Sequence, residues 1–306
     1  MESKNGRQIF TPAPVWAFKI GRSDYYSEKY GTCRKGAHPQ LDNILENSHT
    51  LCGLYLVSQP FCFFIFNFFA AHWFGSMFFQ TFFHHRYASH KMFSMNKFWE
   101  RIFHFMAYVS QGSSYLVPKA YAIMHRMHHT FSDTEKDPHP PGFFRDVFAM
   151  MWHTARIFNR LIVSTAHVSP KFLSASPSWN WLDKFGNSWV SRIAWGSAYI
   201  TFYVFFATQW WMYLLLPLHF LMGPVHGAIV NWCGHKYGYQ NYDNGDHSKN
   251  SLPFDFLTLG ELFQNNHHKH PNRPNFAVKS WEFDPMYPVL RLMHVLGIIR
   301  IRPVNA

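Results

Sequence analysis

The chain has 306 residues, 48% of them hydrophobic and 20% aromatic but only 15% charged, and its 33 phenylalanines and 12 tryptophans exceed what a soluble domain of this size needs. A formal net charge of +11 would raise nucleic acid as a partner. No basic run stands out, however, so nucleic acid is set aside and the excess reads as a membrane-apposed, cytoplasmic face.

Residues 1–50 are polar, mixed in charge and without period, and read as an unassigned tail with no cleavable signal peptide. Residues 51–83 form an uncharged run. As one helix it would reach roughly 50 Å, against about 30 Å of hydrocarbon. Pro60 is expected to break it into a short entry piece and one main span, Phe61 to Phe83. In the next segment, 84–190, Phe98 to Val117 reads as an amphipathic helix, too polar to span because of Glu100, Arg101 and His104. Pro140-Pro141-Gly142 marks a turn, and Phe143 to Arg160 reads as a second amphipathic helix. Leu161 to Asn187, rich in Ser, Pro and Trp, reads as a surface loop. Ala194 to Gly234 lacks Asp, Glu, Lys and Arg, a length that suits two spans turning near Gln209 to Trp211. Arg192 and Lys236 bracket this hairpin, placed at 191–232, so both flanks face the cytoplasm. Residues 233–306 return to that side and include an amphipathic helix over Trp281 to Ile301. The expected fold class is all-α, a polytopic membrane protein.

The four cysteines, Cys33, Cys52, Cys62 and Cys233, form no C-x-x-C pair, which excludes a disulfide framework and a zinc finger. The 21 histidines are the anomaly. His125, His128 and His129 stand at i, i+3 and i+4 and share one helix face, and neutral imidazole is the commonest metal ligand among side chains. Gln264, His267 and His268 repeat that spacing, and Asn231 and His235 are i, i+4. His85 and His90 are five apart, so on an ideal helix they converge only if the helix ends between them. Together these clusters suggest one polynuclear site. Eight imidazoles are too many for one tetrahedral zinc and suit two six-coordinate ions. Glu-x-x-His helix pairs are absent, which excludes the soluble di-iron carboxylate bundle. Asp133, Asp137 and His139 are candidates to orient the ligating rings. His84, His104, His153, His219, His226 and His270 are better read as structural or chance neighbours.

The order H-x-x-x-x-H, H-x-x-H-H, N-N-H-H resembles the membrane fatty-acid desaturases, and within them the stearoyl-CoA (acyl-CoA Δ9) branch. His85-Arg86 to Ser89-His90 matches the first box of that family. His125 to His129, continued by Phe131-Ser132-Asp133-Thr134 and Asp137-Pro138-His139, matches the second. Asn231 and His235 match its N-x-x-x-H element, and Gly260-Glu261 with Asn265-Asn266-His267-His268 matches the third. The resemblance, from about Phe61 to Ile301, implies a cytosolic helical cap over membrane spans, holding two iron ions. By carry-over His85, His90, His125, His128, His129, His235, His267 and His268 are ligands, and Asn231 acts through a water. It implies that dioxygen is the co-substrate and that an external donor (cytochrome b5, ferredoxin or similar) supplies two electrons. The substrate is a fatty acyl chain, with coenzyme A the favoured carrier, and the product carries a cis double bond.

The chain departs from the pattern at three places. Gln264 stands where the third box usually begins with His, which makes it a weaker, neutral donor. Tyr121-Ala122-Ile123-Met124 replaces residues that include a Trp and an Arg-Asp pair near the head group, which weakens the case for coenzyme A. The first pair of the four expected spans looks truncated. Neither a His-Pro-Gly-Gly haem motif nor paired C-x-x-C motifs of a fused donor occur in this chain, so a separate reductase is expected. A lipid, alkane or carotenoid hydroxylase or ketolase is the competing enzyme reading, and a non-catalytic membrane metal-binding protein is the weaker third. The membrane is expected to be a bacterial inner membrane or the endoplasmic reticulum.

Overall fold

An unbroken helix followed by a change of winding sets up the site. The computed structural model describes residues 63–303, so the expected tail and the entry piece before Pro60 lie outside the described residues. Helix α1, residues 63–79, carries no proline and passes directly into a π-helical stretch, Gln80–Ser89. Most of that stretch is buried: Phe82 packs between Phe93 and Phe103, with ring centroids 4.9 Å from each.

A two-residue strand, β1 (Phe93–Ser94), leads to α2 (Lys97–Gln111), where Asn96 accepts a hydrogen bond from the Trp99 amide and caps the helix. The helix stops at Gly112, six residues short of the expected Val117. Gly112 has φ +53°, and a Cβ there would lie 1.7 Å from the Tyr199 hydroxyl, so the turn needs a residue without a side chain. Helix α3 (Pro118–Phe131) has proline in its first turn, and it packs on both the π-helical stretch and α4 (Val147–Val163). Asp146 caps α4 through the Ala149 amide.

The segment expected as a surface loop contains a short helix, α5 (Asn180–Gly186). Its organiser is Asp183, which accepts from His104 Nε2, the Tyr115 hydroxyl and the Trp179 amide. Seven residues are too few for a periodic signal, and two of the three partners of Asp183, His104 and Tyr115, are far away in sequence. Helix α6 (Trp189–Phe206) is capped by Ser188, and the chain breaks just before Trp210, inside the expected turn. The return arm is not one straight helix. A 3-10 turn (Trp210–Leu215), α7 (Leu216–Phe220), α8 (Met222–Ala228), a second π-helical stretch (Ile229–Cys233) and α9 (Gly234–Lys236) follow one another.

Among the described residues no single helix is both long and apolar enough to cross a membrane. The pair Trp210–Phe220 and Met222–Lys236 meets the length and composition together, bent by 77°. The C-terminal part adds α10 (Gln264–Lys269) and α11 (Met286–Val295). The helix expected over Trp281 to Ile301 is shorter, because β2 (Arg300–Ile301) turns back to pair antiparallel with β1. Apart from this pair, the described residues are helices, turns and isolated bridges, in line with the all-α expectation.

Candidate metal centre

The π winding solves the five-residue spacing of the first motif. In a π-helix the amide of residue i+5 bonds the carbonyl of residue i, and here the His90 amide bonds the His85 carbonyl at 3.2 Å. Residues five apart therefore share a face, and the rings of His85 and His90 meet at 4.9 Å. The helical stretch does end between them, at Ser89, as expected, and the π winding that precedes this end was not foreseen.

His85, His90, His125, His129 and His267 bring one ring nitrogen each to within 4.8 Å of all the others. The contacts run through Nε2: His90 to His125 at 2.7 Å, His125 to His129 at 3.0 Å, His129 to His267 at 3.0 Å and His267 to His85 at 2.9 Å. Burial first, then the neighbouring imidazoles, hold the pKa values of His90, His125, His129 and His267 well below the usual 6.5. Neutral rings with converging lone pairs are the donor set a transition-metal cation takes.

His128, His235 and His268 form a second such group beside the first, with ring centroids 4.9 to 5.1 Å apart. Each of these three rings has a carboxylate behind it. His128 Nδ1 lies 2.9 Å from Asp137, His235 Nδ1 2.9 Å from Asp133, and His268 Nδ1 2.7 Å from Asp246. In the first group His85 Nδ1 lies 2.5 Å from Glu261. Ionised carboxylates only accept, so Nδ1 carries the proton and Nε2 is left as the ligand atom. The His235 Nε2 is buried and has no hydrogen-bond partner among the described residues, as expected of a nitrogen kept for a metal. The residues present therefore fit two metal ions.

Asp133 does this from a left-handed backbone, φ +57°, which Asp tolerates better than most residues. Its amide donates to Asp137, and its Oδ2 also accepts from the His247 amide. Burial raises the Asp133 and Asp246 carboxyls, but the hydrogen bonds from His235 and His268 outweigh it and both end below the usual range. Asp246 had no expected role: it sits 22 residues from His268 across an irregular loop, and no spacing rule connects them. Glu261 is part of the third motif, yet its partners, His85, Thr81 and Arg86, are about 180 residues away.

Arg86 shows how the first motif is fixed to the C-terminal part. It is fully buried and reaches the Pro274 carbonyl at 2.7 Å and Asp284 at 3.1 Å, with its guanidinium 3.9 Å over the Phe276 ring. Gly260, φ +93°, permits this, since a Cβ there would lie 2.4 Å from Asp284 Oδ1.

A cavity of about 530 Å³ touches the centre. His125, His139, Glu261, Asn231 and Gln264 are among its polar lining residues, and the lining is mostly apolar, with Met77, Leu116, Met151, Phe158 and Leu221 in the wall. Asn231 donates to the Gly227 carbonyl and Gln264 to the Glu261 carbonyl. Tyr121 and Met124 also face this cavity, and Tyr121 stacks parallel on His125.

The family model for fatty acid desaturases matches residues 58–291. The chain is 26% identical to the Delta-9 desaturase-like 5 protein of Arabidopsis thaliana over 204 residues, 64% of this chain and 62% of that one. It is 27% identical to the acyl-CoA 5-desaturase of Anemone leveillei over 68% of this chain and 62% of that one. The sn-1 stearoyl-lipid 9-desaturase of Anabaena variabilis is 27% identical over 57% of this chain and 61% of that one. The chain thus spans about three fifths of the length of these relatives. With the motifs in order, their nitrogens gathered and most of its length matched, the chain belongs to the fatty acid desaturase family.

Proposed function

We propose that this protein is an oxygen-dependent oxidoreductase that inserts a cis double bond into a saturated, long-chain fatty acyl group. The observation that carries this is the double imidazole cluster, one of whose rings, His125, lines a mostly apolar cavity. The reaction takes an adjacent methylene pair, dioxygen, two electrons and two protons to a double bond and two waters. An alkyl chain has no acidic proton for side-chain acid or base catalysis, so the oxidant must come from a metal. Two iron ions, when bound, supply that oxidising chemistry with electrons from a separate donor such as cytochrome b5 or ferredoxin.

The protein's own part is positioning. His85, His90, His125, His129 and His267 hold one ion, and His128, His235 and His268 hold the other. Glu261, Asp133, Asp137 and Asp246 lock the tautomer and tilt of four of those rings. Asn231 lines the cavity and would act through a water, and Gln264, which also lines it, would be a weak neutral donor. The apolar wall holds the acyl chain and keeps bulk water from the reacting carbons.

The motif pattern favours Δ9 chemistry on an acyl-CoA. The relatives are named for 9- and 5-desaturation and for coenzyme A and lipid carriers, so position and carrier are read from the motifs alone. Exposed Phe63, Phe64, Phe66 and Phe74 on α1, and Ile193, Ile200, Val204 and Phe205 on α6, support a bilayer around these helices, with the histidines on the cytoplasmic side. Expression in a desaturase-deficient host with a working reductase tests the reading. Chromatography of the cell's fatty acids is expected to show a new cis-monounsaturated chain. An unchanged profile, or a product that gains oxygen instead of a double bond, overturns it.

A further inference from the structure

A second cavity, of about 620 Å³, adjoins the first. Leu116, Ala155, Phe158, Leu221 and Pro224 line both, so the two meet along one seam. Their linings otherwise differ in kind. The first carries no lysine or arginine among the described residues, and its one carboxylate is Glu261, behind His85. The second carries no carboxylate among the described residues, and its one charged side chain is Arg192, with Ser113, Ser114, Asn159 and Asn187 in the same lining.

Arg192 is built into the wall and still has capacity. It is half-buried near the start of α6, and it donates from Nη1 to the Ser113 carbonyl at 2.7 Å and from Nη2 to Asn187 Oδ1 at 2.9 Å. Both partners are neutral, so they leave its charge uncompensated. A guanidinium offers more N–H groups than these two bonds use. Held at two points, the planar group has little rotamer freedom left to lose, and its fork suits an anion with paired oxygens such as phosphate. Trp189, 78% exposed, lines the same cavity at the start of the helix read as facing the bilayer, the level at which phosphate heads lie. An acyl substrate is an amphiphile, with an apolar chain joined to a polar head. A negative charge in the first cavity disfavours an anionic head there, whereas the adjoining cavity offers it a cation.

We propose that the second cavity binds the phosphate-bearing head of the acyl substrate whose chain occupies the first, with Arg192 as the phosphate contact. The inference rests on the fatty acyl reading above. Coenzyme A and phospholipids both carry such a phosphate, one reaching the cavity from water and the other from the bilayer.

The test is equilibrium binding to the full-length protein in detergent, read by quenching of tryptophan fluorescence. The probes share a stearoyl chain: stearoyl-CoA, stearoyl-lysophosphatidylcholine, and monostearoylglycerol, which has no phosphate. Wild type is expected to bind monostearoylglycerol and at least one phosphate probe at a single site, so that they displace one another. Arg192→Gln is expected to weaken that phosphate probe about tenfold or more and to leave monostearoylglycerol unchanged. Asn159→Asp, which puts a negative charge into the second cavity while leaving the bonds of Arg192 in place, is expected to act in the same direction. Gly227→Leu, which fills part of the first cavity, is expected to weaken every probe that binds. Thermal unfolding checks that the variants fold. The phosphate probe that Arg192→Gln weakens identifies the source of the head, coenzyme A or lipid. Phosphate probes that bind Arg192→Gln and Asn159→Asp as tightly as wild type, or that lose no more than monostearoylglycerol does, overturn the assignment. A wild type that binds only monostearoylglycerol overturns it too, and leaves the fatty acyl reading standing. A wild type that binds no stearoyl probe overturns that reading, and the assignment with it.

Discussion

The two imidazole clusters are neighbours, yet they are held by different means. In the first, three of five rings stand on the π-helical stretch and α3, two elements packed against each other, a fourth, His90, caps the π-helical stretch, and only His85 has a carboxylate behind it among the described residues. In the second, His235 comes from a three-residue helix and His268 from the end of a six-residue one, and every ring has its own carboxylate. Regular winding can aim a ring by itself. Where the backbone is short and irregular, a hydrogen bond from Nδ1 takes over that task. The difference predicts that the first cluster depends on its imidazoles and the second on its carboxylates as well.

The largest effect is expected from His267→Ala. Its Nε2 touches those of both His85 and His129, so its removal opens the first cluster from one side. Turnover is expected to fall more than about 100-fold, beyond the loss that follows removal of a ring's outer partner. Product formation and iron content measured on the same preparation check it; a variant that keeps both removes His267 from the ligand set. Next comes Asp246→Asn, which leaves His268 in place without its anionic partner. A loss of about 10- to 100-fold in affinity at the second cluster is expected, read by chelator titration. Glu261→Gln should weaken the first cluster less, since four of its rings do not rely on Glu261. Equal losses from the two substitutions would abolish the contrast.

A third effect concerns acid. Burial keeps His90, His125, His129 and His267 neutral in the folded protein, with pKa values well below 6.5. The unfolded chain takes up those protons near pH 6.5, whereas the folded metal-free protein does not. Stability therefore rises with pH across that window, is fully present above about pH 6.5, and is lost progressively on acidification below it. In the second cluster the Asp246 carboxylate opposes the effect of burial on His268. Thermal unfolding of the metal-free protein at pH 5.5 and 7.5 is expected to give the lower midpoint at the lower pH. An unchanged midpoint would mean that these rings are not held neutral by burial.

Most of the donor set could be read from spacing, because helical periodicity projects His125, His128 and His129 onto one face whatever surrounds them. The gathering of His85 with His90 was legible only as a puzzle, since a π-helix has no periodic hydrophobic signature in ten residues. Asp246 and the partners of Glu261 were not legible, because loops and contacts across 180 residues leave no local trace. The helical class was visible in the long uncharged runs, whereas α5 and the β1–β2 pair depend on distant partners such as His104 and on two residues a side. Tyr121 and Met124, read as a departure from the family's residues near the head group, line the apolar cavity.

The smallest effect isolates scaffold from site. Asn96 caps α2 by accepting from the Trp99 amide at 3.0 Å, and α2 carries Phe103, which packs against Phe82 on the π-helical stretch. Asn96→Ala leaves that amide without its cap and is expected to cost about 1 kcal/mol of stability. None of the eight clustered imidazoles stands on α2, and the π winding that pairs His85 with His90 is held by its own backbone bonds. The unfolding midpoint should therefore fall while iron content and chelator resistance stay at wild-type levels. If iron were lost as well, the aim of the first cluster would depend on the packing of α2, and helical winding alone would no longer account for it.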